Sequence, residues 1–314
     1  MASLSCISLQ TMQEAPIPHK SVISLGNFDG VHLAHRALLQ ETKKLRETSF
    51  PNASCTVFCF SDSPSDFLSE APPAHIFDLT EKLECFREEG MEYAILADFS
   101  ALRELSPQEF VTDILRNRCA CVGAVCGYNY RFGKGGEGTA RMLSELLESK
   151  VCIVPEIVAS GTAVSSTRIR RLIANGQVEE AAKLLTKPYS FSSPVQHGKA
   201  LGRKLGFPTI NQFFPPKQII PRRGVYLTAC KLESEETVYG ISNVGVHPTV
   251  DQDALINCET YLLDFDGDLY GQTVRVSFLK QLREEIKFQD ADALKARVFA
   301  DIELARGLLK TIII

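Results

Sequence analysis

Hydrophobic and polar positions follow two textures along this chain. From residue 20 to about residue 185, short apolar runs alternate with amphipathic stretches. Lys20–Leu25, Ser54–Phe60 (SCTVFCF), Glu92–Ala97 (EYAILA), Cys121–Cys126 and Val151–Val154 are short, apolar and bounded by turn residues, which predicts strands. His35–Thr48 places Leu38, Leu39, Thr42 and Leu45 on one side, and that period predicts a helix. Thr80–Glu89, a segment beginning at Ser106, Ala140–Ser149, Ser165–Asn175 and Val178–Leu185 are the other predicted helices. Pro107 and Glu109 complete a capping box with Ser106, and Gly176 stops the Ser165–Asn175 helix. This alternation predicts an α/β domain: a parallel sheet with helices on both faces, and ligands at the carboxyl ends of its strands.

Beyond Pro188 the helical stretches nearly vanish. Gly224–Leu232, Thr237–Val244, Asn257–Phe265 and Gln272–Leu279 are strand-like, Asp266-Gly267 signals a hairpin, and one helix follows from Asp292 to Leu309. Successive strands without intervening helices predict an antiparallel sheet or small barrel. The change of texture puts a boundary near residues 186–190, separating a domain of residues 1–186 from one of residues 187–314.

The 314 residues suit two domains, and the composition, 45% hydrophobic and 23% charged, is that of ordinary globular chains. A formal net charge of −4 argues against nucleic acid or an anionic membrane surface as partner, so a polyanionic ligand needs a local site. The N-terminal stretch lacks the basic start of a signal peptide, and the C-terminal LLKTIII is too short to span a bilayer. Ten cysteines without a C-x-x-C pair, most of them in apolar runs, predict reduced thiols and a cytoplasmic protein.

Three segments carry candidate chemistry. In Ser24–Leu39 (SLGNFDGVHLAHRALL) a predicted strand meets a turn, Gly26-Asn27-Phe28-Asp29-Gly30, and then a helix start with His32 and His35 three residues apart. Free N–H groups and the helix dipole make such a turn an anion site, and histidine donors suit charge developing on phosphate. A plain connecting turn, a core histidine pair and a zinc site remain open at this point, although zinc needs a third ligand. Val164–Ile173 offers the hydroxyls of Ser165, Ser166 and Thr167 at a helix start, followed by Arg168; this suits phosphates, or equally a simple N-cap with a solvated face. Cys126–Gly138 (CGYNYRFGKGGEG) is an aromatic, glycine-dense loop containing Asn129, Arg131 and Lys134.

In this order, the G-x-F-D-G-x-H-x-x-H turn, the Y-x-x-R-F-G-K loop and the S-S-T-x-I-R helix start resemble the nucleotidyltransferase module of the prokaryotic bifunctional riboflavin kinase/FMN adenylyltransferase (FAD synthetase) family. Gly202–Asn211 (GRKLGFPTIN), Pro221–Tyr226, Gly240–Thr249, Cys258–Gly271 and Leu282–Phe288 resemble its flavokinase module. The resemblance implies a Rossmann-like adenylyltransferase domain followed by a six-stranded β-barrel kinase, with riboflavin, FMN and ATP as ligands, FMN and FAD as products and Mg²⁺ as metal. By resemblance His32 and His35 act on the phosphates in adenylyl transfer, and Ser165, Ser166, Thr167 and Arg168 hold the β- and γ-phosphates. It implies Glu259 as the base for riboflavin's 5′-hydroxyl, Thr209 and Asn211 as Mg²⁺ and phosphate ligands, and Gly202, Lys204 and Gly206 as the phosphate-side loop. Arg283 is implied as a flavin-side contact. The sequence departs from the family pattern at Ala34 (usually Gly), at Asn129 and Tyr130 (usually Asp and Phe), after Phe60, and at Ile210 (usually Ala). The first-module departures motivate a second reading, a flavokinase with a weak adenylyltransferase module; a non-catalytic flavin- or nucleotide-binding regulator is a third.

Overall fold

The computed structural model describes residues 3–9, 19–198, 206–246 and 256–312. The chain divides into two compact units, Met1–Ser166 and Thr167–Ile314.

In the first unit six parallel strands form one sheet: β1 (Ser5–Leu9), β2 (Ser21–Leu25), β3 (Ser54–Phe60), β4 (Tyr93–Ala97), β5 (Cys121–Gly127) and β6 (Lys150–Val154). Their order across the sheet is β1-β4-β3-β2-β5-β6. All five predicted strands are present. The edge strand β1 was not anticipated, because SCISL is short, partly polar and mostly exposed; it is held by its register with β4. The fully buried SVISL of β2 sits at the centre, as expected of a strand covered on both faces.

Helix α1 (Leu33–Ser49) turns Leu38, Leu39, Thr42 and Leu45 inward, the stripe its sequence spacing requires. Helix α2 (Leu79–Glu88) starts on the Asp78 cap, whose carboxylate accepts the Glu81 N–H. The predicted capping box is formed: Ser106 and Glu109 exchange side-chain-to-backbone bonds around Pro107. The core between sheet and helices is apolar, with Ile23, Leu25, Phe58, Ile95, Ile114 and Leu143 among its members.

The second unit opens with α3 (Ser166–Ala174) and α4 (Val178–Leu185), apart from Ser166 itself. The sequence groups both helices with the N-terminal half, yet the Arg222 N–H donates to the Ile173 carbonyl and Lys280 pairs with Glu179, so they pack with the strands that follow. Those strands are β7 (Tyr189–Pro194), β8 (Thr209–Phe213), β9 (Gly224–Lys231), β10 (Thr237–Val246), β11 (Ile256–Leu262) and β12 (Thr273–Glu284), all antiparallel in the order β7-β12-β9-β10-β11-β8. A bridge between Gln196 and Asn211 joins the two edges, which closes the sheet on itself as a barrel.

Asp266-Gly267 does not make a hairpin. β11 pairs with β10 and β8, β12 pairs with β7 and β9, and neither residue has the positive φ that a two-residue turn requires. The segment instead crosses over as a loop anchored by buried Leu269. Inside the barrel, Tyr189, Tyr226, Phe191 and Phe278 are buried beside a hydroxyl ladder, Thr228–Ser242 at 2.8 Å and Ser242–Thr260 at 2.7 Å. Outside, helix α5 (Ala291–Ile312) lays Val298, Ile302, Ala305 and Leu309 over Val225, Leu227, Ile241 and Leu263.

Candidate functional site

The first unit's strand order singles out a candidate ligand position. From β2 the chain proceeds outward through β3 and β4, then returns to place β5 on β2's other side. The sheet therefore reverses direction between β2 and β5, and the crevice outside their carboxyl ends is the binding position of open parallel sheets. Leu25 of β2 lies opposite Cys126 of β5, so the Gly26–His32 turn and the Gly127–Asn129 loop leave the sheet at this point side by side.

The turn is sharply bent. Phe28, Gly30 and Val31 have φ of 54°, 82° and 37°. Two of these are not glycine, and Val31 is β-branched, so the conformation stores of order 1–3 kcal/mol per strained residue. Surrounding contacts hold it. Phe28 is fully buried and packs edge-on to Phe86 of α2 at 5.3 Å, and the Asp29 carboxylate accepts the Ile76 N–H at 2.9 Å. Gly26 lies against the Phe28 ring, where a Cβ would approach to 3.1 Å.

His32 caps α1, its Nδ1 accepting the His35 N–H at 3.4 Å, and the two rings stack at 3.7 Å. Burial first, then His32 and then Lys82, hold the His35 pKa well below its ordinary value, so the ring is neutral at physiological pH. Among the described residues its buried Nδ1 has no hydrogen-bond partner. The second motif meets the first here: Ser166 Oγ donates to the Asp29 carbonyl at 2.9 Å. Ser165 precedes it, and Thr167 and Arg168 follow in the first turn of α3.

Asn129 and Arg131 are exposed on the loop after β5. Arg131 and Phe132 pair with Thr139 and Gly138 as a two-residue ribbon. Tyr130 stacks on Phe132 and burial pushes its phenol far up, so this tyrosine is a structural anchor. Lys134, exposed, is paired with Glu104 at 2.9 Å.

In the second unit, register gathers the predicted kinase residues. Thr209 lies opposite Tyr261, Asn211 opposite Glu259, and Glu259 opposite Asn243. Direct partners share a face, so Thr209, Asn211, Glu259 and Asn243 project from the same side of the barrel wall. Asn257 Nδ2 donates to Asn211 Oδ1 at 3.3 Å and to Glu259 Oε1 at 3.2 Å, tying amide and carboxylate together. Gly198 passes so close that a Cβ there would meet the Asn211 amide at 2.4 Å. Gly206 has φ 93°, and among the described residues no atom lies within 4 Å of where its Cβ would be. Gly202 and Lys204 lie outside the described residues.

Arg283 continues the same row through Val225, four strands from Asn211. Its guanidinium is taken up by buried Asp301 at 2.9 Å and by the Glu284 carbonyl, and it lies 5.8 Å from the centre of the Phe288 ring.

Sequence reasoning missed Lys82, Asn243, Asn257 and Asp301. For Lys82 a signal existed: it shares the buried face of α2 with Cys85 and Phe86, three and four residues on, where a charged residue is out of place. Among the described residues no three His, Cys, Asp or Glu side chains cluster as a metal site, and no helix is long and apolar enough to cross a membrane.

Comparison with known proteins covers both units. Residues 14–168 match the FAD synthetase family model, and residues 185–309 match that of riboflavin kinase. The bifunctional riboflavin kinase/FMN adenylyltransferase of Listeria monocytogenes is 33% identical over 91% of each chain. That of Escherichia coli K12 is 33% identical over 96% of this chain and 97% of its own, and that of Bacillus subtilis 32% identical over 90% of each. A crystal structure from Streptococcus pneumoniae, titled a macrolide-efflux protein, superposes with a TM-score of 0.88 at 32% identity over 96% of this chain and 98% of that one. Two family models in sequence and full-length relatives of the same architecture lead to one conclusion: the chain belongs to the bifunctional riboflavin kinase/FMN adenylyltransferase family, and makes FMN from riboflavin and FAD from FMN.

Proposed function

We propose that the two reactions occupy the two sites described above, with the residue roles that follow. The observation that carries this assignment is the pairing of Asn211 with Glu259 in the barrel wall and of Ser166 with Asp29 at the sheet's reversal point. Each pairing joins motifs far apart in sequence.

At the barrel site, Glu259 accepts the proton of riboflavin's 5′-hydroxyl as that oxygen attacks the γ-phosphorus of ATP. A hydroxyl is a weak nucleophile, and a carboxylate within reach is the general base such a transfer needs. Asn257 orients that carboxylate through its 3.2 Å bond. Thr209 and Asn211 would hold Mg²⁺ together with the ATP phosphates. Their donors are hard neutral oxygens beside one carboxylate, which suits a small cation that keeps most of its water and takes the rest of its ligands from substrate. When bound, the ion neutralises phosphate charge.

At the sheet site, a phosphate oxygen of FMN bonds to the α-phosphorus of ATP, and the bond from that phosphorus to the bridging oxygen breaks. Pyrophosphate leaves with the electron pair. Little proton transfer is required, so the residues act by position and charge. His35 is a neutral donor, His32 holds it by stacking, the α1 start offers backbone N–H groups, and Ser166 offers a hydroxyl. Domain limits of 1–186 and 187–314 remain our assignment for separable activities.

Incubating the chain with riboflavin, ATP and Mg²⁺ and separating the flavins over time tests the reading. FMN followed by FAD is expected, and chelating the Mg²⁺ should stop both steps. FMN without FAD would refute the role given to the sheet site.

A further inference from the structure

Lys82 lies 92% buried beneath the histidine turn, with 8% of its surface exposed. It comes from α2, whose Phe86 also supports the turn through Phe28. Its Nζ donates to the Asn27 carbonyl at 3.3 Å. Among the described residues no carboxylate pairs with it. A buried ammonium ordinarily has a counter-charge, because burying it unpaired is costly. Here one carbonyl faces three N–H donors, beside the turn to which adenylyl transfer is assigned above. The neighbouring groups supply no full positive charge: His35 is neutral, and its buried Nδ1 also lacks a partner. Arg36, next on α1, is already paired with Glu89. Lys82 and His35 thus both keep hydrogen-bonding capacity for an anion at the histidine turn.

We propose that Lys82 is a catalytic residue of adenylyl transfer, its ammonium supplying the fixed positive charge for the ATP polyphosphate and the departing pyrophosphate. The Asn27 carbonyl aims the ammonium, and the anion completes its coordination. As the bond from the α-phosphorus to the bridging oxygen breaks, negative charge grows on the pyrophosphate, where a preplaced cation in a dry site acts most strongly. The same charge keeps His35 in its neutral donor form. The groups facing His35 are His32, stacked on it, and Lys82 from α2. Cys59 of β3 faces Lys82 from the sheet, and burial pushes its thiol up to about 11, so it carries no charge in an ordinary assay.

The inference rests on placing adenylyl transfer at this turn, so the test assays Lys82→Met, Lys82→Arg and His35→Ala together in the full chain. For Lys82→Met a loss of about 10²-fold or more in FAD formation is expected, the scale of removing one charge-stabilising donor. Riboflavin phosphorylation by the same variant should be unchanged. Lys82→Arg should recover at least tenfold of the loss. Inorganic pyrophosphate, titrated as a direct probe of binding, should bind at least tenfold more weakly to Lys82→Met. The acid limb of its pH–rate profile should move to higher pH, because His35 then protonates more readily; a purely structural role would leave that limb in place. Unchanged pyrophosphate affinity with an unmoved acid limb would overturn the proposal. Normal FAD formation by His35→Ala would instead overturn the placement of the reaction.

Discussion

At the scale of the residue, the histidine turn and the barrel-wall carboxylate make opposite demands on charge. His35 is held neutral by burial, by His32 and by Lys82, in that order, and this couples the fold to pH. Unfolded histidine titrates near about 6.5, and the folded ring titrates well below it, so between the two values the unfolded chain binds more protons. Stability contributed by His35 is therefore complete above about pH 6.5 and is lost as pH falls toward the folded pKa. Thermal unfolding measured between pH 7.5 and 5 should show a midpoint for the first transition that falls with acid, and His35→Gln should flatten that slope. In the proposed assignment Glu259 is the base of the kinase reaction. Replacing it by Gln keeps the shape and the bond to Asn257 but removes the base, so riboflavin phosphorylation should drop by about 10²–10⁴-fold in kcat. Of the candidate residues, His32, His35 and Ser166 were singled out because each sits in a motif whose residue type has a chemical reason at that spacing, whereas Asn211 and Glu259 came from the family resemblance. Lys82 was overlooked, since a lysine in TEKLE reads as the solvated side of a helix unless the spacing of Cys85 and Phe86, three and four residues on, is used to place it on the buried face.

At the scale of the element, periodicity carried most of the architecture. Strands buried on both faces and helices with a single apolar stripe announce themselves, and caps such as Ser106 mark their starts. The elements missed are those whose stability comes from pairing alone. β1, β7 and β8 read SCISL, YSFSSP and TINQF, and their polar positions are satisfied by neighbouring strands no local window reveals. The Asp-Gly signal failed for the same reason, because strand order decides which turns are hairpins. Two element-level devices can be tested. Gly133 has φ 71°, and a Cβ there would come within 2.8 Å of the Pro107 backbone, so Gly133→Ala should destabilise the first unit by about 1–3 kcal/mol. Asp301 joins Arg283 and Arg297, clasping α5 to the end of β12. Asp301→Ala strands the Arg283 guanidinium and should cost about 3–5 kcal/mol of second-unit stability, while an Asp301→Leu, Arg283→Met pair should recover much of it. Denaturant melts of the three proteins measure both effects.

At the scale of the whole molecule, two units of unlike architecture carry two phosphate chemistries. In the proposed assignment the parallel sheet takes its ligand at the point where its strand order reverses, and the barrel uses its wall, where register aligns the Glu259 carboxylate with amide and hydroxyl oxygens. The division into an α/β unit and an antiparallel unit was legible from the loss of helical periodicity after Pro188. The assignment of α3 and α4 to the second compact unit was not, because their packing with Arg222 and Lys280 is tertiary. The central claim is that each reaction belongs to one site. It is tested most directly by chromatographic product analysis of two variants, Glu259→Ala supplied with FMN and with riboflavin, and His35→Ala supplied likewise. Glu259→Ala should convert FMN to FAD at the parental rate and leave riboflavin untouched, whereas His35→Ala should accumulate FMN from riboflavin without FAD. If either variant, folded, loses both activities or keeps both, the two-site account is contradicted.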